Sequence, residues 1–509
     1  MLIKSKIVRD TILLTAMQIF LDTSALFLNV FITRKLGTEA IGILSLTGSF
    51  LVLAGILSNG NAFLCISRLV SEELGRKNSN PNGILVHGIV LCTLLSSITS
   101  LMVLVFAEPL SEKFFSGADI VSALKLMPVA LVCGALSACF KGYFNACRKS
   151  ALMAVGDVLE FMVKTAVIVL MTLAERSPDE SDVCGIMIGG IVAGNVFSLV
   201  YGTVAFVKIH RKYSGKPSLD FKKYISLAFP IMCGSIITSV LSSTNDALIP
   251  MCLKQSGDSV NEALSRFGVF EAIVIPTLFF PSVVLCSMSG IIVSESARAV
   301  ASENRERVKS ITQRLIKWTV VFSVFASSVL MKFGDDIGVR LGGGTLAGSM
   351  IKIISPVVPF IYLEIVLEAL IKGMGLQAFS SLNYLAEYVI RIVIVLIFVP
   401  RISFYGIVIS YYASNVFGNC MRFVKVMKFS GTEFRPLSTV IVPVLYSFLT
   451  ASAVELTARI LNFDGNSIPE MVLFVLVWGV AYFTILIVLN TTKFNNTIKM
   501  LCRINKYEY

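Results

Sequence analysis

Long apolar runs alternate with short polar breaks along this chain, and the length of each run is that of a lipid bilayer crossing rather than of a strand or an amphipathic surface helix. A helix needs roughly 20 predominantly apolar residues to cross a hydrocarbon layer about 30 Å thick. Fourteen segments qualify, near 11–33, 41–67, 83–106, 119–140, 151–173, 184–207, 224–250, 264–294, 313–331, 346–371, 379–399, 404–424, 437–460 and 470–490. The pattern therefore predicts an all-α integral membrane fold with 14 transmembrane helices. The first run follows MLIKSKIVRD without a small-residue cleavage site, which predicts a retained span rather than a removed signal.

Composition agrees with lipid as the solvent. Of 509 residues, 55% are hydrophobic and 15% charged, against about a quarter charged in water-soluble chains; mean hydropathy is +0.80. The net charge of +12 acquires meaning only from its placement. With the N-terminus inside, the even-numbered loops and both termini hold 29 Lys and Arg, whereas the opposite side holds nine beside an acidic cluster at Glu175, Asp179, Glu180 and Asp182. Cytoplasmic loops carry the positive excess, so both termini are expected in the cytoplasm and the protein in the cell membrane. That placement accounts for the charge and leaves a nucleic-acid partner without support.

An internal duplication organises the spans. Val70-Ser71-Glu72 lies over Val293-Ser294-Glu295 at an offset of 223, Lys141-Gly142 over Lys372-Gly373 at 231, and Glu160 with Lys164 over Glu387 with Arg391 at 227. Three matches in order predict two six-helix lobes, 1–215 and 216–430, followed by an extra helix pair and tail over 431–509. Six is even, so the copies are parallel, with the cleft between lobes as the expected transport route.

Ionisable groups inside spans are the candidates for chemistry, because each costs about 2.5–3.5 kcal/mol near the bilayer centre on insertion scales unless it meets a partner or water. Asp22 shares a helix face with Gln18 and Asn29, as the wall of a cavity or as a helix-to-helix hydrogen bond. Arg68, at the cytoplasmic end of the second span, either binds a phosphate or snorkels to the interface. Glu160/Lys164 and Glu387/Arg391 have the i,i+4 spacing of structural pairs. Asn245, Asp246, Arg266 and Glu271 sit toward the outer ends of spans seven and eight. Glu364 and Glu368, one turn apart and of like sign, either hold a proton or sodium ion or are neutralised by Lys372. Lys125 and Lys352 are expected to snorkel.

Enzyme chemistry has little to build on. There is no G-x-S-x-G, H-E-x-x-H or Walker sequence, and the glycine run Leu341–Thr345 lacks the Lys of a phosphate loop. The 11 cysteines contain no C-x-x-C, and the two histidines, His87 and His210, are far apart, so no cofactor or metal is expected and the cysteines read as packing residues.

Several stretches carry a family likeness: ITRKLGTEAIGILSL (32–46), ISRLVSEELGRKN (66–78), ACFKGYFNACRKS (138–150), LAFPIMCGSIITSVLSSTNDALIPMCLKQSG (227–257) and FFPSVVLCSMSGIIVSESARA (279–299). Together they resemble the stage V sporulation protein B group, in the polysaccharide-flippase branch of the multidrug/oligosaccharidyl-lipid/polysaccharide exporter superfamily, over about residues 8–430. The resemblance implies a V-shaped pair of lobes and a flippase for a lipid-linked oligosaccharide, with the peptidoglycan precursor lipid II or a related spore-cortex precursor as the expected cargo. Its implied partners are the glycan lipid, membrane lipids and cell-wall synthesis proteins. Related lipid II flippases have an arginine-rich cleft, whereas the set here is mixed, with Arg68 and Lys141 as the cytoplasmic-side positions and Asp22 and Asp246 as cleft acids. Two other readings fit the residues: a cation-coupled exporter of small organic cations, favoured by the surplus of acids, and a non-transporting scaffold for wall assembly.

Overall fold

The structure is a computed structural model that describes residues 2–74, 80–113, 120–147, 149–174, 180–209, 220–434, 436–460 and 467–504. Arg76, Lys77, Arg148, Arg176, Arg211, Lys212, Lys216, Arg435 and Lys506, which enter the loop-charge count, lie outside these residues, as do Glu175, Asp179 and His210. Among the described residues the regular structure is helical throughout, with no strand. Eleven helical segments are long and apolar enough to cross a membrane, and the chain is a multi-pass membrane protein. Its outward side chains suit lipid: Phe27, Phe448, Ile460 and Val480 are 70%, 72%, 72% and 69% exposed, a solvation that water would penalise.

Breaks in the helices fall where the backbone demands glycine or a side-chain cap. The first helix, Leu2–Asn59, is interrupted at Gly37 with φ 92° and ψ 173°, a conformation that needs a residue without Cβ. That interruption lies in the polar gap between the first two expected spans. The second expected span, 41–67, is not continuous as the hydropathy suggested. Gly60 and Asn61 turn left-handed at φ 55° and 56°, the Asn59 side chain accepts the Asn61 N–H at 2.7 Å, and a separate helix Ala62–Leu74 follows. The eighth expected span, 264–294, is likewise segmented. A capping box at Ser259 and Glu262 starts helix Val260–Gly268, a π-helical turn Val269–Val274 follows, then Ile275–Phe279, the 3-10 turn Phe280–Ser282 and helix Val283–Ala301. Pro276 and Pro281 remove two backbone donors in this stretch, which is why the regular ladder does not run through it.

Contacts gather the chain into two units. The first holds Met1–Val283, Gly338–Gly348 and Ser381–Ser414, and the second holds Val284–Ile337, Ser349–Ser380 and Asn415–Tyr509. The expected lobe boundaries at residues 215 and 430 rest on repetition in the sequence, whereas these units rest on contact.

In the first unit, Ile66, Leu69 and Val70 meet Ile84, Leu85, Phe140, Phe144 and Tyr224 in a buried core that also contains Cys65, Cys92 and Cys139. The first helix and helix Val260–Gly268 approach backbone to backbone: a Cβ on Gly42 would sit 1.9 Å from the Leu264 carbonyl oxygen, and one on Gly268 would sit 2.3 Å from the Gly42 nitrogen. Small residues permit this closeness where lipid gives no hydrophobic drive between helices. In the second unit, Trp478 and Tyr482 of helix Ile468–Ile504 pack with Val321 and Phe325 of helix Arg305–Arg340. The indole N–H of Trp478 donates to Thr450 Oγ1 at 3.0 Å and the Tyr482 hydroxyl donates to the Val321 carbonyl at 3.1 Å. The C-terminal helix pair is therefore fixed by aromatics with satisfied polar tips.

The glycine contact generates a direct test. Gly42→Val should destabilise the folded protein by at least about 2 kcal/mol through overpacking, lowering the midpoint of thermal unfolding in detergent. Gly55→Ala, whose added Cβ meets nothing within 4 Å, should leave that midpoint unchanged or raise it.

Candidate polar cavity and ion-pair networks

Inside the first unit a cavity of about 230 Å³ is walled mainly by apolar side chains, including Leu28, Ile32, Leu44, Ile168 and Met187, and carries the hydroxyls of Ser45 and Thr172 and three stronger polar groups, Asn29, Lys164 and Glu271. Asn29 and Lys164 come from the stretch expected to form the first repeat and Glu271 from the stretch expected to form the second, so the cavity joins residues far apart in sequence. The π-helical turn brings Glu271 to the cavity, and Asn29 Nδ2 donates to the carbonyl of Ala272 at 3.1 Å. A π-turn leaves carbonyls off the regular ladder, and this bond satisfies one of them.

Next to Glu271 lies a second polar cluster. Ser49 of the first helix donates to Asp246 Oδ2 at 2.6 Å, Asn245 Nδ2 donates to Asp246 Oδ1 at 3.1 Å, and the Ser243 hydroxyl donates to the Ser49 carbonyl at 3.0 Å. Asp246, Glu271 and Arg391 act on one another electrostatically. Arg391 is held from several directions: its Nε donates to Ser414 Oγ at 3.0 Å, its Nη2 lies 3.7 Å from Glu387 Oε1, and its guanidinium stands over the rings of Tyr388 and Tyr411 at 5.5 and 5.1 Å. Two acids and one firmly seated cation thus adjoin a cavity that also presents a lysine.

Lys164 corrects one expectation. The i,i+4 spacing predicted a Glu160–Lys164 pair, but Glu160 is bonded to Lys141 at 2.8 Å, and Lys141 also reaches Asp157 at 2.6 Å. Lys141 sits on the neighbouring helix Met127–Ala146 and lies between two acids one turn apart on helix Ser150–Ala174, so a tertiary contact outcompetes the local one. Lys164 instead has its Nζ 5.1 Å from the Phe161 ring centroid, with Glu160 in electrostatic range, and no carboxylate among the described residues pairs with it directly. Its counterpart in the second repeat, Arg391, keeps its acid; Lys164 faces the cavity.

The other sequence candidates lie elsewhere. Asp22 is exposed and accepts from Gln18 Nε2 at 2.8 Å; it is not among the groups lining the cavity. Arg68 is exposed and paired with Glu72 at 3.0 Å. Arg266 pairs with Asp258 at 3.3 Å and donates to Ser403 at 2.6 Å. Lys352 pairs with Asp335 at 2.6 Å. Ser49 and Asp157 were not singled out from sequence. Asp157 had a visible signal, one turn before Glu160, while a serine in an apolar run has none.

In the second unit Glu364 and Glu368 are bound by a residue that the loop-charge count had placed in the cytoplasm. Arg422 is fully buried, with Nη2 3.3 Å from Glu364 and Nε 3.4 Å from Glu368. Lys372 lies 3.6 Å from Glu368, and the Ser380 hydroxyl donates to the same carboxylate. Helix Phe404–Ser430 continues eight residues beyond position 422, so Arg422 is an interior residue of a helix rather than of the loop after it. Both acids have a cation, which leaves less reason to read them as an ion-coupling pair.

Comparison with known proteins bears on the whole chain. Residues 7–293 match the family model described as polysaccharide biosynthesis protein. Stage V sporulation protein B of Bacillus subtilis (strain 168) is 22% identical over 413 residues, 79% of each chain. Among solved structures, the lipid II flippase MurJ in an inward closed conformation superposes with a TM-score of 0.72 at 13% identity, covering 96% of this chain and 100% of that one. An inward-facing multidrug resistance MATE family transporter of the MOP superfamily superposes at 0.62 and 14% identity, covering 82% and 96%. These structures have the fold of this chain.

The Arg422 network predicts its own measurement. Removing one member of a buried ion pair leaves an uncompensated charge and costs about 3–5 kcal/mol, so Arg422→Met should sharply lower the unfolding temperature in detergent. Adding Glu368→Gln in the same chain should recover part of the loss, since one stranded carboxylate is then removed.

Proposed function

Because the chain belongs to the polysaccharide biosynthesis protein family, we propose that it is a flippase that carries a lipid-linked glycan from the cytoplasmic to the outer leaflet by alternating access. The observation that carries this reading is the cavity lined by Asn29, Lys164 and Glu271 inside an apolar helical unit. A sugar and pyrophosphate headgroup cannot enter hydrocarbon without a large desolvation cost. A route with hydrogen-bonding groups and an available cation removes most of that cost while the polyprenyl tail stays in lipid. Lys164 is the group suited to the pyrophosphate, and Glu271 and Asn29 to sugar hydroxyls and amides. The likeness to a solved lipid II flippase supports lipid II or a related wall precursor as the cargo.

Fourteen crossings remain our reading of the topology. Eleven segments are apolar enough, the first of them is 59 residues long, and at 1.5 Å per residue that length exceeds two crossings of a ~30 Å core. Helix Ser150–Ala174, which carries Asp157, Glu160 and Lys164, and helix Phe404–Ser430, which carries Arg422, Lys425 and Lys428, supply the remaining two. The two parallel lobes, 1–215 and 216–430, rest on the duplication, and the cytoplasmic termini on the distribution of lysine and arginine.

Export of small organic cations is the second reading, favoured by Asp246 and Glu271 beside the cavity. Arg391 acts on both acids, which weakens their pull on a cationic cargo and favours the flippase.

Leaflet-resolved labelling of the lipid-linked precursor in cells depleted of the protein tests the proposal. Precursor should accumulate on the cytoplasmic leaflet, and Lys164→Ala should restore transfer poorly, by roughly tenfold or more, as expected from losing one charge-assisted contact of about 1.5–3 kcal/mol. Unchanged leaflet distribution with increased sensitivity to organic cations would favour the exporter instead.

A further inference from the structure

A second cavity, of about 450 Å³, lies wholly within the second unit and away from the groups discussed above. Lys309, Gln313 and Lys317 line one side. They are spaced at four-residue steps on helix Arg305–Arg340 and so share one face near its N-terminal end. Thr432, just past helix Phe404–Ser430, and Ser438 and Thr439, within the π-helical turn Leu437–Ile441, also line the cavity. The Ser430 hydroxyl lies 2.7 Å from Thr432 Oγ1, a bond that holds the Thr432 side chain at the cavity wall. One acid, Glu433, is also present, so the lysines outnumber it by one. Two lysines, three hydroxyl-bearing residues and an amide line one pocket, a set of side chains that can recognise a phosphate oxygen.

The surroundings decide what bears that phosphate. Trp318 follows Lys317 directly and is 43% exposed, while Phe434 and Leu437 beside the hydroxyls are 39% and 66% exposed. An exposed tryptophan next to lysine marks the headgroup level of a bilayer, and the apolar flank offers a bed for acyl chains that a soluble anion does not need. The same rim is the one to which the lysine and arginine distribution assigns the cytoplasmic leaflet, where anionic lipids concentrate.

We propose that this cavity is a binding site for the headgroup of an anionic phospholipid, with Lys309 and Lys317 on the phosphate and Thr432, Ser438 and Thr439 on its oxygens and the headgroup hydroxyls. The lipid bridges the start of helix Arg305–Arg340 to the start of the C-terminal helix pair. It is a site for a resident membrane lipid and does not depend on the flippase reading.

The test uses the full chain purified in a neutral detergent, titrated with short-chain phosphatidylglycerol and followed by the shift in thermal unfolding, with short-chain phosphatidylcholine and inorganic phosphate as separate titrations. A saturable upward shift is expected with phosphatidylglycerol alone. Lys309→Gln combined with Lys317→Gln should weaken it about tenfold, equivalent to about 1.4 kcal/mol, while Lys309→Arg combined with Lys317→Arg, which keeps both charges, should retain most of it. Should the glutamine variant fail to fold, Thr439→Val, which removes a donor and no charge, replaces it and should weaken the shift measurably. An equal shift with inorganic phosphate, no saturable shift with any ligand, or an undiminished shift in the variants would each overturn the proposal.

Discussion

The structure depends on one constraint: a charge placed among apolar helices must be met by an opposite charge, by donors, or by water. On insertion scales an unmet charge near the bilayer centre costs about 2.5–3.5 kcal/mol, a large part of the stability of an ordinary domain. The chain satisfies the constraint in two distinct ways. Arg422 with Glu364 and Glu368, and Lys141 with Asp157 and Glu160, are matched inside the helical packing at 2.6 to 3.4 Å. Each joins different helices, so the charges also fix which helices are neighbours. Lys164 and Glu271 are matched otherwise, by facing a cavity. Tight pairing commits a charge to holding helices together and an open face leaves it able to meet a ligand, a difference that residue type alone does not show.

Much of this was legible in the chain. The apolar runs located the helices, and the gap between the first two runs fell at Gly37, where the φ of 92° breaks the helix. The repeat offset drew attention to Glu160, Lys164, Glu387 and Arg391 before any contact was known. What hydropathy could not supply was the choice among partners. Glu160 has Lys164 four residues away, yet its bond goes to Lys141 on another helix, because the nearer cation in space decides and sequence records only the nearer one along the chain. Arg422 misled for a related reason: basic residues near the end of an apolar run usually lie in the loop, but helix Phe404–Ser430 runs on past it. Asp22 and Arg68 show the remaining gap, since a helix apolar on almost every face gives periodicity nothing with which to orient a single polar residue.

The cavity itself rests on packing at some distance from its polar groups. Regular helices bury their own backbone bonds, and irregular backbone at membrane depth survives only where it is enclosed by protein or lines a cavity. The π-turn Val269–Val274 follows directly on Gly268, whose contact with Gly42 holds helix Val260–Gly268 against the first helix. Asn29, on the helical segment before the Gly37 break, bonds the carbonyl of Ala272. Two points 13 positions apart, one on either side of the Gly37 break, therefore brace the turn from either end, and Glu271 lies between the two braces. Were either position larger or apolar, the turn would lose its register or its bond, and the carboxylate would no longer face Lys164 across the cavity. The acid's placement is in this way a consequence of a glycine and an asparagine chosen for backbone contact, which is why the site and the fold cannot be varied independently here.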